Sequence, residues 1–535
     1  MATGFFALES APRLPKPRLS HRTKYDGFFC HEERADLPLG LRAVGRIVTA
    51  PLPDWLAHYL GPALLISIAG LHAVGAYLDA VMAINYPFEI SYGEGVVWQQ
   101  ALLIPGPRFY SADTGLPFIV FHYPPVYHLV VHAIGLWTPD LLMAGRIVST
   151  AATGVFAAAA GGVVFSAAGG RITWAMRVAC AVVTALLVLV LPNIRSIGFL
   201  MRVDMVANAL GPIALLIAFT GRPGLARTTA ALTIATLAVF TKQTEVAAGL
   251  TIFTLLVRIQ PRQTILAALM VGGAGLATVA VLQWFTQGGF LQHIVTYNLN
   301  RSDWAGWAGR VASEWINLPL IGAVFAILAV CVRHSGGGLG PDRSRLSFAI
   351  ILFFGLNLLS LVGLAKSGAA FNYLNSLYGA GSMVVGIGLA QLLSAPRSGP
   401  AIGTALVFIL AGWIAVSPIQ RLGAFLDTEA PERQAELVRM IAATEKPVAS
   451  DDLVLVLRAG RTVLFEPAIA TELAITGRWD ERPLVDLINR GGVAFAISEI
   501  ESLDDSRRSP GVLAAMQAAF PRTRQITSRH WLHER

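Results

Sequence analysis

Apolar stretches of roughly 15 to 25 residues, separated by short polar turns, recur from about residue 60 to Val416 and then stop. A helix needs about that length to cross the ~30 Å hydrocarbon core of a bilayer. The pattern predicts spans at 60–83, 143–167, 173–192, 204–220, 227–241, 243–258, 264–284, 316–332, 346–365, 374–394 and 400–418. Residues 121–137, FHYPPVYHLVVHAIGLW, are apolar too, but they carry His122, His128, His132 and a Pro-Pro pair. Beyond 418 the pattern shortens to an amphipathic helix in EAPERQAELVRMIAATE, strand–turn–strand in DLVLVLRAGRTVLF, another helix, and a strand in GGVAFAISEI. Alternation of this kind predicts a small α/β domain. The expected fold class is an α-helical polytopic membrane protein with about 11 transmembrane helices and a small extracytoplasmic α/β domain. Its expected parts are a tail at 1–59, a transmembrane domain at 60–418 with a long first outer loop at 84–142, and the α/β domain at 419–535.

Composition agrees with this reading. Hydrophobic residues make up 54% of the 535 and charged ones 14%, against about 25% charge in an ordinary soluble domain. Mean hydropathy is +0.59 and the pI is 9.6. Such a pI raises nucleic acid as a partner, but basic cytoplasmic loops account for it, so membrane lipids are expected and nucleic acid is not. The first 59 residues are polar, Pro-rich and basic, without the pattern of a cleavable signal. Cys30, Cys180 and Cys331 are too few and too scattered for a disulfide framework or a cysteine zinc site.

Loop charge decides how the chain threads. If 121–137 lies in the interface without crossing, Arg171, Arg177, Arg222, Arg227, Arg258, Arg262, Arg333, Arg343, Arg345 and Arg397 all face one side, against the single acid Asp342. That is the positive-inside signature. The reading expects a cytoplasmic (inner) membrane protein with its N-terminal tail in the cytoplasm and its C-terminal domain outside.

The same threading gathers the remaining charges at the outer face. Glu89 and Glu94, in NYPFEISYGEG, are five residues apart with Gly93 and Gly95 around the second, which suits a turn approached closely by other backbone. Arg202 and Asp204 open a span in GFLMRVDMVANAL, Lys242, Gln243 and Glu245 fill the turn of FTKQTEVAAGL, and Lys366 precedes Asn372 and Tyr373 in KSGAAFNYLNSLYG. Each cation alone reads equally well as a headgroup anchor, and the two acids as solvated surface groups. Together they describe a cavity suited to a lipid-linked phosphate leaving group beside a general base.

The order of YPFEISYGEG, YPPVYHLVVHAIGLW, AGRIVSTAA, RVDMVANAL, FTKQTEVAAGL and KSGAAFNYLNSLYG, followed by a soluble domain, resembles the GT-C superfamily of polytopic glycosyltransferases. Within it the chain looks most like bacterial relatives of the protein O-mannosyltransferases and of the lipid A aminoarabinose transferase. The resemblance implies a polyprenyl-phosphate sugar donor, a lipid, glycan or protein acceptor in the envelope, and a catalytic carboxylate in the first outer loop. Relatives often carry an adjacent Asp-Glu pair there, where this chain has Gly93-Glu94. On this reading Glu94, with Glu89 second, is the general base of an inverting transfer. Arg202, Lys242 and Lys366, with Arg146 and Arg301, hold the phosphate. Asp204 orients Arg202, while Gln243, Tyr123, His128, Asn372 and Tyr373 support the site. No cofactor is required, and a divalent cation between carboxylates and phosphate is compatible. The rival expectation is a transporter or flippase whose substrate path the same charges line.

Overall fold

A computed structural model describes residues 60–104, 106–169, 172–333, 341–394, 399–422, 430–503 and 507–535. The basic tail expected at 1–59 lies outside them, as do the side chains of Arg171, Arg333, Arg343 and Arg397. Helices Gly61–Asn85, Leu141–Ala167, Trp174–Val190, Asp204–Phe219, Leu225–Val239, Ala247–Ile259, Pro261–Phe285, Leu318–Arg333, Pro341–Asn357, Asn375–Ser394 and Gly399–Ala415 overlie the predicted spans. Among the described residues, six helices are long and apolar enough to cross a membrane, and further apolar helices run 10–17 residues.

Burial sorts these helices into an inner and an outer set. Phe371–Leu393 is 94% buried and runs through the middle of the bundle, whereas Pro261–Phe285 is 11% buried and exposes Leu269, Leu276, Val281, Trp284 and Phe285. Small residues let the inner helices touch: a Cβ on Gly161 would stand 2.7 Å from the Ala181 carbonyl oxygen. Close backbone approach of this kind is how helices associate where solvent gives no hydrophobic drive.

Helix Val126–Gly135 has ten residues, about 15 Å, half the thickness of a hydrocarbon core. Its length therefore fits the non-crossing reading of 121–137. His128 does not support the site from there. It is fully buried, its Nε2 lies 2.9 Å from Gln100 Oε1, and burial lowers its pKa to about 4. It is a neutral packing histidine.

The C-terminal region carries a four-stranded sheet in the order β1-β2-β4-β3, with β1 at Ala449–Ser450, β2 at Ala496–Ser498, β3 at Arg522–Gln525 and β4 at Trp531–Glu534. β1 and β2 pair in parallel, and the other pairings are antiparallel. The strand expected in DLVLVL is instead a helix, Leu453–Arg458. Asp452 caps it by accepting from the Leu455 amide, and Gly460, at φ +67°, turns the chain after it. A short apolar run fits either element by pattern, and the aspartate cap selects the helix.

The described residues form one compact unit. The first loop and the C-terminal region share a core: Phe118 stacks on Trp479 at 4.6 Å, and its amide donates to the Leu464 carbonyl at 2.9 Å. A Cβ on Gly95 would lie 2.8 Å from the Val454 nitrogen, which is the close approach its glycine permits. Arg458 bonds Asp140, the cap of helix Leu141–Ala167, at 2.8 Å.

Candidate active site

The first loop is held by a closed ion pair. Glu94 begins helix Glu94–Leu102 and is fully buried. Its Oε1 accepts from Arg146 Nε (2.8 Å) and the Met201 amide (2.9 Å), and its Oε2 from Arg146 Nη2 (2.8 Å) and the Ile90 amide (2.9 Å). The remaining donors of Arg146 go to the carbonyls of Ala83, Tyr86 and Phe88. Burial works to raise the Glu94 carboxyl, but Arg146 and the two amides hold it below the usual range. Both lone pairs of each oxygen are taken, so the geometry corrects two expectations. Glu94 has no acceptor site left for a substrate proton, and Arg146 has no donor left for a phosphate. What the pair does is tie the loop to Met201, one residue before Arg202.

A second cluster is open. Asp204, at the start of helix Asp204–Phe219, accepts from Lys242 Nζ at 2.8 Å and Asn372 Nδ2 at 2.9 Å through Oδ1, and from Arg202 Nε at 3.4 Å through Oδ2. Tyr373 presents its ring 5.1 Å from Lys242 Nζ, and Tyr123 packs within electrostatic range of Asp204, Arg202 and Lys242, its phenol pushed up to about 12 by burial. Burial works against the Lys242 charge, but Asp204 outweighs it and holds the ammonium above the ordinary lysine range. Two cations share one carboxylate here, and the Arg202 side chain is 19% exposed. Gly93 lies alongside at φ +104°, where a Cβ would sit 3.4 Å from Arg202 Nη1, so the loop meets the guanidinium without an intervening side chain. Lys366 stands on another loop, in the field of Glu472 and not of Asp204. Its Nζ lies 3.3 Å from Asn298 Oδ1, and burial lowers its pKa to about 8.

This arrangement sits in an architecture seen before. ArnT from Cupriavidus metallidurans superposes in its apo state with a TM-score of 0.53 at 14% identity, covering 87% of this chain and 97% of that one. The same protein bound to undecaprenyl phosphate gives a TM-score of 0.52 at 15% identity over the same shares. The chain has the GT-C fold. No protein-family model and no curated protein sequence matches it.

Within this GT-C fold the remaining expected residues separate. Arg301 is not gathered with the cations: its amide donates to Glu472 Oε1 at 2.6 Å and its Nη2 to Oε2 at 3.1 Å, a carboxylate of the C-terminal region that Ser367 also bonds. Glu89 is 2% exposed, with Oε1 accepting from the Gly95 amide at 3.3 Å and Oε2 unpaired. Burial, together with Asp452 and Glu499, pushes its carboxyl well above the usual range. It faces the carboxylates of the C-terminal region, whereas Arg202 and Lys242 surround Asp204. Gln243 belongs to the site's edge, donating to the His122 carbonyl at 3.0 Å.

Four residues that sequence reasoning did not select join the open cluster's rim. Tyr92 accepts from Arg202 Nη1 on its carbonyl (3.1 Å) and donates its hydroxyl to Glu466 Oε1 (3.1 Å). Glu466 Oε2 lies 2.6 Å from His122 Nε2. Asn298 bonds both Lys366 and the His122 carbonyl. A tyrosine between glutamates, or a histidine before Tyr-Pro-Pro, carries no local signal of such a role. Among the described residues no group of three or more His, Cys, Asp or Glu could hold a metal ion.

Proposed function

We propose that the chain is a membrane glycosyltransferase that moves a sugar from a polyprenyl-phosphate donor to an envelope acceptor at the outer face of the cytoplasmic membrane. The observation that carries this reading is the open cluster. Arg202 and Lys242 share Asp204 and, among the described residues, leave Arg202 Nη2 and two of the three Lys242 protons without a partner, so donors remain for an anion. Charged donors of this kind bind phosphate oxygens strongly, so the cluster is suited to the phosphate of a lipid donor. The GT-C fold and the presence of undecaprenyl phosphate in the ArnT complex support that choice of lipid.

In the proposed reaction an acceptor hydroxyl attacks the anomeric carbon and polyprenyl phosphate leaves. Arg202, Lys242 and Lys366 take up the charge that grows on the leaving oxygen, while Asp204 and Asn372 hold Lys242 and Arg202 in place. In this reading the displacement is single and inverts configuration. The tail at 1–59 is cytoplasmic and the C-terminal domain extracytoplasmic in this reading.

Membranes containing the protein, given a panel of radiolabelled polyprenyl-phosphate sugars and total envelope acceptors, test it. The expected result is label transfer with release of polyprenyl phosphate from one donor, lost in Lys242→Gln when normalised to folded protein. No release from any donor by the wild type would overturn the reading.

A further inference from the structure

The proposed transfer needs a group to take the acceptor's proton, and neither acid of the first loop offers one: Glu94 is saturated and Glu89 faces Asp452. His122 does offer one. Its Nε2 lies 2.6 Å from Glu466 Oε2, and a carboxylate can only accept, so the Nε2 proton points at Glu466 and Nδ1 carries the free lone pair. Among the described residues Nδ1 has no partner, and the side chain is 18% exposed, more than the 8% of Glu466. Three separate contacts join this dyad to the cations. Tyr92 links Glu466 to Arg202, Gln243, the residue beside Lys242, donates to the His122 carbonyl, and Asn298 links that carbonyl to Lys366. Glu466 is itself fixed, standing just before Pro467 at the start of helix Pro467–Ile475, within the sheet-bearing C-terminal region.

We infer that His122 is the general base of the transfer and that Glu466, supplied by the C-terminal region, is its positioning residue. This assignment rests on the glycosyltransferase reading above. His122 Nδ1 takes the proton of the acceptor hydroxyl as that oxygen bonds to the anomeric carbon. The bond from that carbon to the phosphate oxygen breaks, and polyprenyl phosphate leaves with the electron pair, held by Arg202, Lys242 and Lys366. The imidazolium, steadied by Glu466, then returns its proton to water. The C-terminal region thereby supplies part of the site where Gly93 places no acid.

The test uses the full-length protein in membranes and the donor identified in the labelled panel, following polyprenyl phosphate release against pH. His122→Ala should lower kcat by about 10²–10⁴-fold, leave the donor KM within about threefold, and regain part of the rate with added imidazole. His122→Gln, which keeps a donor towards Glu466 but has no basic nitrogen, should be equally slow at wild-type thermal stability. Glu466→Gln should lower kcat with donor KM unchanged, because an amide can donate or accept and no longer fixes the ring with its lone pair on Nδ1; Glu466→Asp should restore most of the rate. Wild-type kcat in His122→Gln, or a loss confined to donor KM without imidazole rescue, would overturn the assignment while leaving the transferase reading standing. Absence of release by the wild type itself would remove both.

Discussion

The Glu94–Arg146 pair and the Asp204 cluster lie a few residues apart along the chain at Met201 and Arg202, and both are buried, yet they are built on different accounts. Glu94 and Arg146 are one acid and one base, each with every hydrogen-bonding position occupied, and each fully enclosed. Asp204 serves two cations at once, one of them partly exposed, and among the described residues donors are left over on both. A closed pair fixes geometry and has nothing to give a ligand. An open cluster is held ready for an anion, and the closed pair supports it by anchoring the backbone from which Arg202 projects. Glu94 and Asp204 therefore differ by what their partners leave unused, whatever their place in a motif.

The sharpest way to break the comparison is to cut the closed pair. Glu94→Ala leaves Arg146 buried without its partner and should cost about 3–5 kcal/mol of stability. It should be read as lost protein level and lower thermal midpoint, with turnover per folded molecule within about tenfold of wild type. The open cluster should respond chiefly in turnover. Lys242→Gln keeps a donor towards Asp204 but loses the charge, so it should cost some stability, and turnover per folded molecule should fall by about 10²–10³-fold, as expected for a donor aimed at developing charge.

Lys366 gives a smaller effect with a pH signature. Its pKa, lowered to about 8 by burial, keeps it cationic below that pH and neutral above it. Donor KM in the wild type should rise as pH passes about 8, and Lys366→Gln should raise KM about tenfold at neutral pH while flattening that rise. Glu89 sets the smallest effect. Its folded pKa stands above its unfolded one, so the stability it adds is complete below the usual carboxylate range and is lost as pH rises towards the folded value. Glu89→Gln keeps the group neutral. Thermal midpoints measured from about pH 5 to 8 should slope less in the variant and stand a few degrees higher at the alkaline end. Asp452 titrates in the other direction: burial raises it, but His530 holds it low, so its contribution is lost only at acid pH.

Much of the fold was legible because a bilayer dictates how long an apolar helix must be, and each predicted span overlies a helix. Loop charge set 121–137 apart as a stretch in the interface, and the ten residues of helix Val126–Gly135 fit that reading in length. Pattern failed at DLVLVL, where an all-apolar run has no period and Asp452 decides the matter by capping. The cations Arg202 and Lys242 were legible as charges at span ends, and both reach Asp204. Glu94 was legible as an acid but not as a spent one, since Arg146 stands 52 residues further on. His122 and Glu466 lie 344 residues apart and meet only because the C-terminal region folds back onto the first loop. Such a contact leaves no mark in either local sequence.

The most direct measurement is the affinity for undecaprenyl phosphate of full-length protein in nanodiscs, compared among wild type, Lys242→Gln and Glu94→Gln, each normalised to folded protein. If the open cluster holds the lipid phosphate and the closed pair only positions it, Lys242→Gln should bind at least about tenfold more weakly and Glu94→Gln close to wild type. Wild-type affinity in Lys242→Gln, with loss in Glu94→Gln, would reverse the roles of the two clusters and contradict the account.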